Sequence, residues 1–538
     1  MRLCSEPDRA AAVDAGGREG HRRLTPAPGL RVFSWRGRTQ AHVSAVPLPY
    51  LSLGDGLTEA LRSFDGGRAV DAVADDAGLP PGAPRAAFAR FAVALEQAGI
   101  LLDSERPDPI HGLRPDERRG ASLYLFPTNR CNLGCVYCYA SSGPAAGPRL
   151  SDDDAALAID RFFEGLDREV EQVSLVFHGG GEPTVALAVM RSAWRRFQAH
   201  AERKGLRARG STITNGVFGS EARAFLSEPG IDVMFSFDGP RQAAQRPTAG
   251  GRDSRARVVE NMRALAAAGK PTRARATLTR EGVASFRALV EDAAELKIAD
   301  VQVEPASIVG RGATTVDGPP EPLAFAEAYL DAFRLGLRLG VRVTTAAFNI
   351  IRVGDGSYCG AVRSLRGVTP DGYVSSCVEA TRGEDAARNP FMVGRIDRIG
   401  RRLELWDDKV ESLRGRTGDS LPHCRTCYMV DTCAGGCLSR ALAQTGTIHA
   451  RDEHNCIVTR RINPELAADI AEGRLLPEAG WLPFSASLTE AETRRRGMEG
   501  RVVALVPTFA RRAWLANPDR RPFLPAPPGA PTWFRPAA

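Results

Sequence analysis

The sequence predicts an α/β protein: a partial (β/α)6 TIM-like barrel, preceded by a winged-helix-like module and followed by a cysteine-rich domain. Three observations carry this reading. Between about residues 119 and 312, short apolar strand-like runs alternate with helical patterns, six times over. Segments rich in Cys, Gly and polar residues fall directly after the first four of those runs. Ten of the 11 cysteines lie in two groups, 131–138 and 359–456.

At 538 residues the chain is too long for one ordinary domain, and three or four are expected. With 43% hydrophobic and 25% charged residues it has the composition of a soluble globular protein. The net charge of +7 is spread over 71 basic and 64 acidic residues, and no aromatic-basic stripe stands out, so nucleic acid is not an expected partner. The start, Met1-Arg2-Leu3-Cys4-Ser5-Glu6-Pro7-Asp8, has no apolar signal core, and no apolar run is long enough for a bilayer. These features predict a cytoplasmic protein with no membrane partner. Clustered cysteines in that compartment point to metal rather than disulfides. Cys4 stands apart in a tail and is given no role.

Residues 1–30, rich in Arg, Gly, Ala and Pro, are expected to be a disordered tail. A small module spans 31–104. Its strand-like pieces, 30–35 and 41–46, precede helical patterns near 57–64, 69–77 and 86–98. The last carries Phe88, Phe91, Ala92, Leu95 and Ala98 on one stripe. A polar linker, 105–118, leads into the barrel of 119–312. Strands are expected near 122–126, 173–177, 211–214, 233–237, 273–278 and 301–304, with helices such as 152–166 and 254–267 between them. After Gly310-Arg311-Gly312 a bridge, 313–350, holds a Pro-rich break, a helix at 323–339 and a short strand at 341–345. The cysteine-rich domain covers 351–460. A C-terminal extension, 461–538, has a helix at 464–473, the basic run Arg494-Arg495-Arg496 and no evident chemistry.

The first strand runs into Cys131-Asn132-Leu133-Gly134-Cys135-Val136-Tyr137-Cys138. Three thiolates cannot complete a tetrahedral zinc site unaided. They can hold three irons of a 4Fe–4S cluster and leave the fourth open to a ligand. A zinc knuckle completed from elsewhere is the structural alternative. His178-Gly179-Gly180-Gly181-Glu182-Pro183-Thr184 follows the second strand, Asn215-Gly216 the third, and Ser236-Phe237-Asp238-Gly239-Pro240 ends the fourth. All four segments sit at C-terminal strand ends, where parallel βα barrels place their chemistry. A glycine run lets backbone groups approach a ligand closely.

The Cys-x3-Cys-x2-Cys pattern, with aromatic Tyr137 before the last cysteine, resembles the radical S-adenosylmethionine (SAM) superfamily. The resemblance implies a SAM-binding 4Fe–4S cluster on Cys131, Cys135 and Cys138. It places Gly179, Gly180, Gly181 and Glu182 at the methionine amino group, and Asn215, Ser236 and Arg257 at the ribose and carboxylate. Asn215-Gly216 taken alone is a good turn, and Arg257 taken alone is a solvated helix charge.

Cys359 is followed by Gly372 and Cys377, then Cys424-x2-Cys427-x5-Cys433-x3-Cys437, and finally Cys456. A zinc ribbon is the alternative for 424–437. The seven-cysteine layout is similar to the SPASM domain of peptide-modifying radical SAM enzymes. That likeness implies two auxiliary 4Fe–4S clusters, three clusters in all: a distal one on Cys424, Cys427, Cys433 and Cys456, and a proximal one on Cys359, Cys377 and Cys437. The sulfatase-maturing branch carries a further cysteine before the first of the seven, and an Asp after the second. Here no cysteine lies between Cys138 and Cys359, and Val378 then Glu379 follow Cys377. Both departures argue against that activity, and the proximal cluster is left with an open iron.

Ahead of such a core, the 31–104 module resembles the leader-peptide recognition element of ribosomal-peptide maturation enzymes, which adds a peptide to a sheet edge. A packing accessory is the alternative. The resemblance implies an enzyme that cleaves SAM reductively to a 5′-deoxyadenosyl radical and takes a hydrogen from a residue of a leader-bearing precursor peptide. A thioether, carbon–carbon or carbon–oxygen cross-link follows. Flavodoxin or ferredoxin would supply electrons. Related readings are the same chemistry on a protein side chain or on a quinone or haem precursor. A non-catalytic iron–sulfur or zinc scaffold that binds peptides is the reading of another class.

Overall fold

The computed structural model describes residues 21–26, 30–35, 38–43, 50–53, 63–82, parts of 85–96, 101–104, 120–145, 147–168, 170–315, 318–348, 356–363, 367–425 and 427–471. The expected tail before residue 21, the helix at 57–62, the linker at 105–118 and the extension beyond 471 lie outside them. Among the described residues no helix is long and apolar enough to cross a membrane.

Strand β1 (Leu24–Pro26) is followed by an antiparallel sheet of β2 (Leu30–Trp35), β3 (Arg38–Val43) and β4 (Tyr50–Leu53). The second strand expected at 41–46 thus starts three residues earlier. Only Arg36 and Gly37 separate β2 from β3, and so short a connection fixes the pairing of Trp35 with Arg38. β4 was not expected. Of the expected helices, 69–77 forms as Val70–Asp76, and residues 88, 89, 92, 95 and 96 are helical within the third. Phe88, Ala92 and Leu95 of its stripe are buried, and Phe88 stacks on Phe64 at 6.0 Å. β5 (Leu101–Asp103) pairs antiparallel with β1, which closes the module on itself.

The barrel strands are β6 (Gly120–Leu125), β7 (Gln172–Phe177), β8 (Arg207–Thr214), β9 (Ile231–Ser236), β10 (Arg273–Leu278) and β11 (Asp300–Pro305). They pair in sequence order and all in parallel. Side chains alternate along each strand. In β10, Ala274, Ala276 and Leu278 are buried, whereas Arg273, Arg275 and Thr277 are half-buried. The outer face packs on helices Asp152–Glu164, Leu187–Arg203, Arg255–Ala267 and Phe286–Glu295 through Trp194, Phe197, Phe163, Val258 and Leu289. Ser151 caps the first of these helices by accepting from the Asp154 N–H at 3.0 Å.

Two features extend the sheet beyond six strands. The strand expected in the bridge is β12 (Arg342–Thr344), which pairs parallel with β11 and so belongs to the sheet. On the other side, β13 (Gly367–Val368) pairs parallel with β6 and leads into antiparallel β14 (Tyr373–Ser375), β15 (Met392–Asp397) and β16 (Arg402–Leu405). The cysteine-rich region therefore continues the barrel sheet. Gly367 is needed for this, because a Cβ there would stand 2.6 Å from the Phe126 ring. Arg398 completes the join with paired hydrogen bonds to Asp154 at 2.9 and 2.7 Å.

The helix expected from residue 464 begins at Glu453 and runs to Ala471, with Pro464 inside it. It packs against Pro322–Leu339, and Arg334 binds Asp469 across the seam at 2.6 Å. Proline cannot donate to the carbonyl four residues back. That carbonyl, on Arg460, accepts from the Tyr428 hydroxyl at 3.3 Å.

Candidate active site

The cysteine loop leaves β6 at the C-terminal end of the sheet and is pinned at several points. Cys131 N–H donates to the Gly143 carbonyl (3.0 Å), Gly134 N–H to Pro247 (2.8 Å) and Val136 N–H to Gln245 (3.0 Å). Backbone N–H groups point at two of the sulfurs, Leu133 at Cys131 Sγ and Ser142 at Cys138 Sγ, both at 3.4 Å. Asn215 Nδ2 lies 3.7 Å from Cys131 Sγ and donates to Asn132 Oδ1 at 2.7 Å. Arg311 spans the loop, donating to the carbonyls of Cys135 (2.7 Å) and Ser142 (2.6 Å). Gly310 beside it admits no side chain, since a Cβ would meet the Tyr139 carbonyl oxygen at 2.1 Å. Burial pushes the Cys131 thiol up to about 12 and Cys135 to about 11. These sulfurs become thiolates when a metal ion displaces the proton.

The glycine loop after β7 lies against this turn. Gly181 N–H donates to Thr128 O (3.1 Å) and Glu182 N–H to Arg130 O (2.9 Å), while the Tyr139 hydroxyl donates to Gly179 O (2.6 Å). A Cβ at Gly181 would sit 2.1 Å from Arg130 O, and one at Gly180 would sit 2.4 Å from Asn129 Oδ1. Glu182 is 2% exposed. Its carboxylate accepts from Thr184 N–H (3.1 Å) and hydroxyl (2.7 Å), Thr214 hydroxyl (2.7 Å) and Asn215 N–H (2.6 Å). Burial raises its carboxyl pKa against the pull of those donors. Glu182 thus ties the ends of β7 and β8 together.

Ser236 and Asn215 line the same cleft, as does Tyr137. The Tyr137 hydroxyl donates to Asp238, and the Arg246 guanidinium lies over its ring, 5.1 Å from the centroid. Asp238 also accepts from Arg246 (2.9 Å), Gln245 (2.8 Å) and Thr277 N–H (3.0 Å), which makes it a buried hub. Arg257 is elsewhere. Its side chain is 53% exposed, pairs with Glu260 at 2.9 Å one turn along its helix, and does not line the cleft. Arg257, expected at the carboxylate, therefore stands away from the cleft, and a guanidinium that does line it belongs to Arg275 on β10. Arg275 lines the cleft from β10, and among the described residues its side chain has no hydrogen-bond partner. His178 is nearby, accepting the Gly179 N–H on Nδ1 at 2.9 Å. Burial, helped by the Arg275 charge, pushes its pKa down to about 3, so it is neutral.

The cleft has a volume of about 190 Å3. Cys131, Cys135 and Cys138 share it with the glycine loop, and Val378, Glu379 and Arg440 enter from the cysteine-rich side. Glu379 accepts from the Ser439 hydroxyl at 2.6 Å. A second cavity, about 200 Å3, is bordered by Cys424, Cys427, Cys433 and Cys456 together. Burial raises the Cys377 thiol, and the neighbouring Glu379, Cys437 and Cys359 raise it further. Among the described residues no three His, Cys, Asp or Glu groups converge on a single metal ion; the sulfurs stand back around cavities. Three thiols beside a side-chain-free backbone cradle fit an iron–sulfur cluster with an adjoining small ligand.

Motif reading passed over Arg311, Arg275, Arg246 and Arg440. Only the Gly310-Arg311-Gly312 triplet carried a visible signal, since paired glycines flank a side chain held at close quarters.

The radical SAM superfamily profile matches residues 125–293. The chain is 30% identical over 328 residues to mycofactocin maturase MftC of Mycobacterium ulcerans, covering 58% of this chain and 81% of that protein. It is 26% identical over 334 residues to the PqqA peptide cyclase of Gluconobacter oxydans, covering 60% and 87%. The solved structure "Native anSMEcpe with bound AdoMet" superposes with a TM-score of 0.53 at 19% identity, over 65% of this chain and all of that one, a likeness of fold. With the profile starting inside β6 and four-fifths of a maturase matched at that identity, the chain belongs to the radical SAM superfamily.

Proposed function

We propose that this enzyme modifies a ribosomally made precursor peptide, installing a cross-link within it. The observation that carries the reading is one cleft shared by the cysteine triplet, the glycine loop and residues of the cysteine-rich region. The names of the relatives, a maturase and a peptide cyclase, agree with it. Cys131, Cys135 and Cys138 would hold a 4Fe–4S cluster, which together with SAM would supply the radical chemistry that removes hydrogen from a substrate carbon.

The chain's own residues do the rest. The backbone of Gly179, Gly180 and Gly181 receives the methionine amino group, and Glu182 keeps that backbone in place. Arg275 meets the carboxylate, a natural partner for a fork of N–H donors. Asn215 and Ser236 face the ribose. The Tyr137–Asp238–Arg246 group fixes the floor of the cleft and, being buried, keeps water out. Cys424, Cys427, Cys433 and Cys456 hold one auxiliary cluster. Cys359, Cys377 and Cys437 would hold a second. The β2–β4 sheet receives the leader segment along an edge, and an external electron donor such as flavodoxin or ferredoxin reduces the clusters. Val378 carries no carboxylate where the sulfatase-maturing branch has Asp, which favours a peptide cross-link over that activity.

Co-expression with a candidate precursor peptide taken from the neighbouring genes, followed by mass spectrometry, tests the proposal. A loss of two hydrogens from the precursor is expected. An unchanged precursor, with active enzyme present, would overturn it.

A further inference from the structure

Among the described residues, one large cation inside the cysteine-rich region has no carboxylate partner. Arg416 is 1% exposed. Its guanidinium donates to backbone carbonyls only: Ile448 (3.0 Å), Ala450 (2.9 Å), Gly435 (3.3 Å) and Ala434. The nearby acid Asp452 faces Arg440 instead, at 3.8 Å. The ionisable groups that act most strongly on Arg416 are thiols, Cys424 and Cys433 from one set, Cys359 and Cys437 from the other. A guanidinium buried with neutral acceptors alone is costly, and an anion nearby offsets that cost.

The carbonyls it gathers include those of the link between the two sets. Cys433-Ala434-Gly435-Gly436-Cys437 joins a sulfur of one to a sulfur of the other. Its three middle residues all have positive φ, +44° at Ala434, +77° at Gly435 and +81° at Gly436. Alanine rarely adopts that region. The strained arch turns the Ala434 and Gly435 carbonyls onto the guanidinium.

We propose that Arg416 is an electrostatic bridge between the two auxiliary clusters, a positioning residue whose charge raises the reduction potential of both. The inference rests on the auxiliary-cluster reading above. A cluster with thiolate ligands is anionic and gains one negative charge on reduction, so a fixed cation beside it favours the reduced form. Buried from water, that cation is weakly screened.

Spectroscopic redox titration of the anaerobically reconstituted enzyme tests this, with Arg416→Gln removing the charge and Arg416→Lys keeping it while giving up the fork. In the Gln variant both auxiliary potentials are expected to fall enough to lower the reduced-to-oxidised ratio at the wild-type midpoint about tenfold, about 59 mV for a one-electron couple. The cluster at Cys131 stays at its wild-type potential. The Lys variant keeps wild-type potentials and loses thermal stability. Clusters lost in the Gln variant but held at wild-type potential in the Lys variant also support the proposal, because only the charge is shared. Unchanged potentials in the Gln variant, equal shifts in both, or loss of both clusters from both would overturn it and leave Arg416 a structural brace. A wild-type enzyme that assembles a single cluster, by iron count and spectrum, would remove the auxiliary-cluster reading and this proposal with it.

Discussion

The guanidinium of Arg311 donates to the Cys135 carbonyl at 2.7 Å across 176 residues of sequence. Its other arm takes the Ser142 carbonyl at 2.6 Å, so one side chain from beyond β11 closes the cysteine loop that follows β6. Hydrogen bonds from a charged donor contribute about 1.5–3 kcal/mol each. Arg311→Gln is expected to lower the iron retained at the cysteine triplet and to weaken its spectroscopic signal, leaving the auxiliary signals unchanged. Iron analysis with EPR of the reduced protein checks this; a full triplet signal in the variant would count against the clamp.

The glycine cradle gives a steric prediction. Gly181→Ala puts a methyl 2.1 Å from Arg130 O, whereas Gly219 has open space around it. Overpacking of this kind costs about 1–3 kcal/mol, and here the loop that must receive the ligand is what moves. SAM binding by calorimetry should weaken roughly 10- to 100-fold in Gly181→Ala and stay at the wild-type value in Gly219→Ala.

Arg275 and Arg257 separate by place. Arg275 opens into the cleft, whereas Arg257 pairs with Glu260 in solvent. Losing a charged partner to a carboxylate costs about 1.5–3 kcal/mol, so Arg275→Gln should raise the dissociation constant of SAM roughly 10- to 100-fold. Arg257→Gln should leave it alone. The opposite pattern would return the role to the helix.

His178 sets an acid limit. Its folded pKa of about 3 lies below the ordinary imidazole value of about 6.5, so the unfolded chain binds the extra proton between those values. Stability then rises with pH across that window, and falls by about 2 kcal/mol between pH 7 and pH 5 on this group's account. His178→Asn, which keeps an acceptor for the Gly179 N–H, should flatten the slope by that amount. Denaturant midpoints of the two proteins at both pH values check the sign and the size.

What was legible in the sequence followed from periodicity and spacing. The alternation in Arg273–Leu278 marks a strand because one face of β10 must meet helices while the other lines a cleft. The cysteine spacings point to clusters because ligand geometry leaves little freedom along the chain. What was not legible depended on distant partners. Nothing local in Gly367-Val368 announces pairing with β6, and β12 looks like a connector until β11 lies beside it. Pro464 reads as a helix start because nothing local shows that the carbonyl it leaves free, on Arg460, is satisfied by the Tyr428 hydroxyl 32 residues before it. Arg257 carries a plausible charge in the helix after the fourth strand, and only the packing shows that its side chain turns to Glu260 and solvent while Arg275 on β10 lines the cleft.

The central claim is that the triplet Cys131, Cys135 and Cys138 carries a cluster that cleaves SAM. Its most direct test is to incubate the anaerobically purified enzyme with SAM and a strong reductant and to quantify 5′-deoxyadenosine. The account predicts its formation by the wild-type enzyme and none from Cys135→Ala. Wild-type protein that carries zinc in place of iron, or iron-loaded protein that forms no 5′-deoxyadenosine, would contradict it.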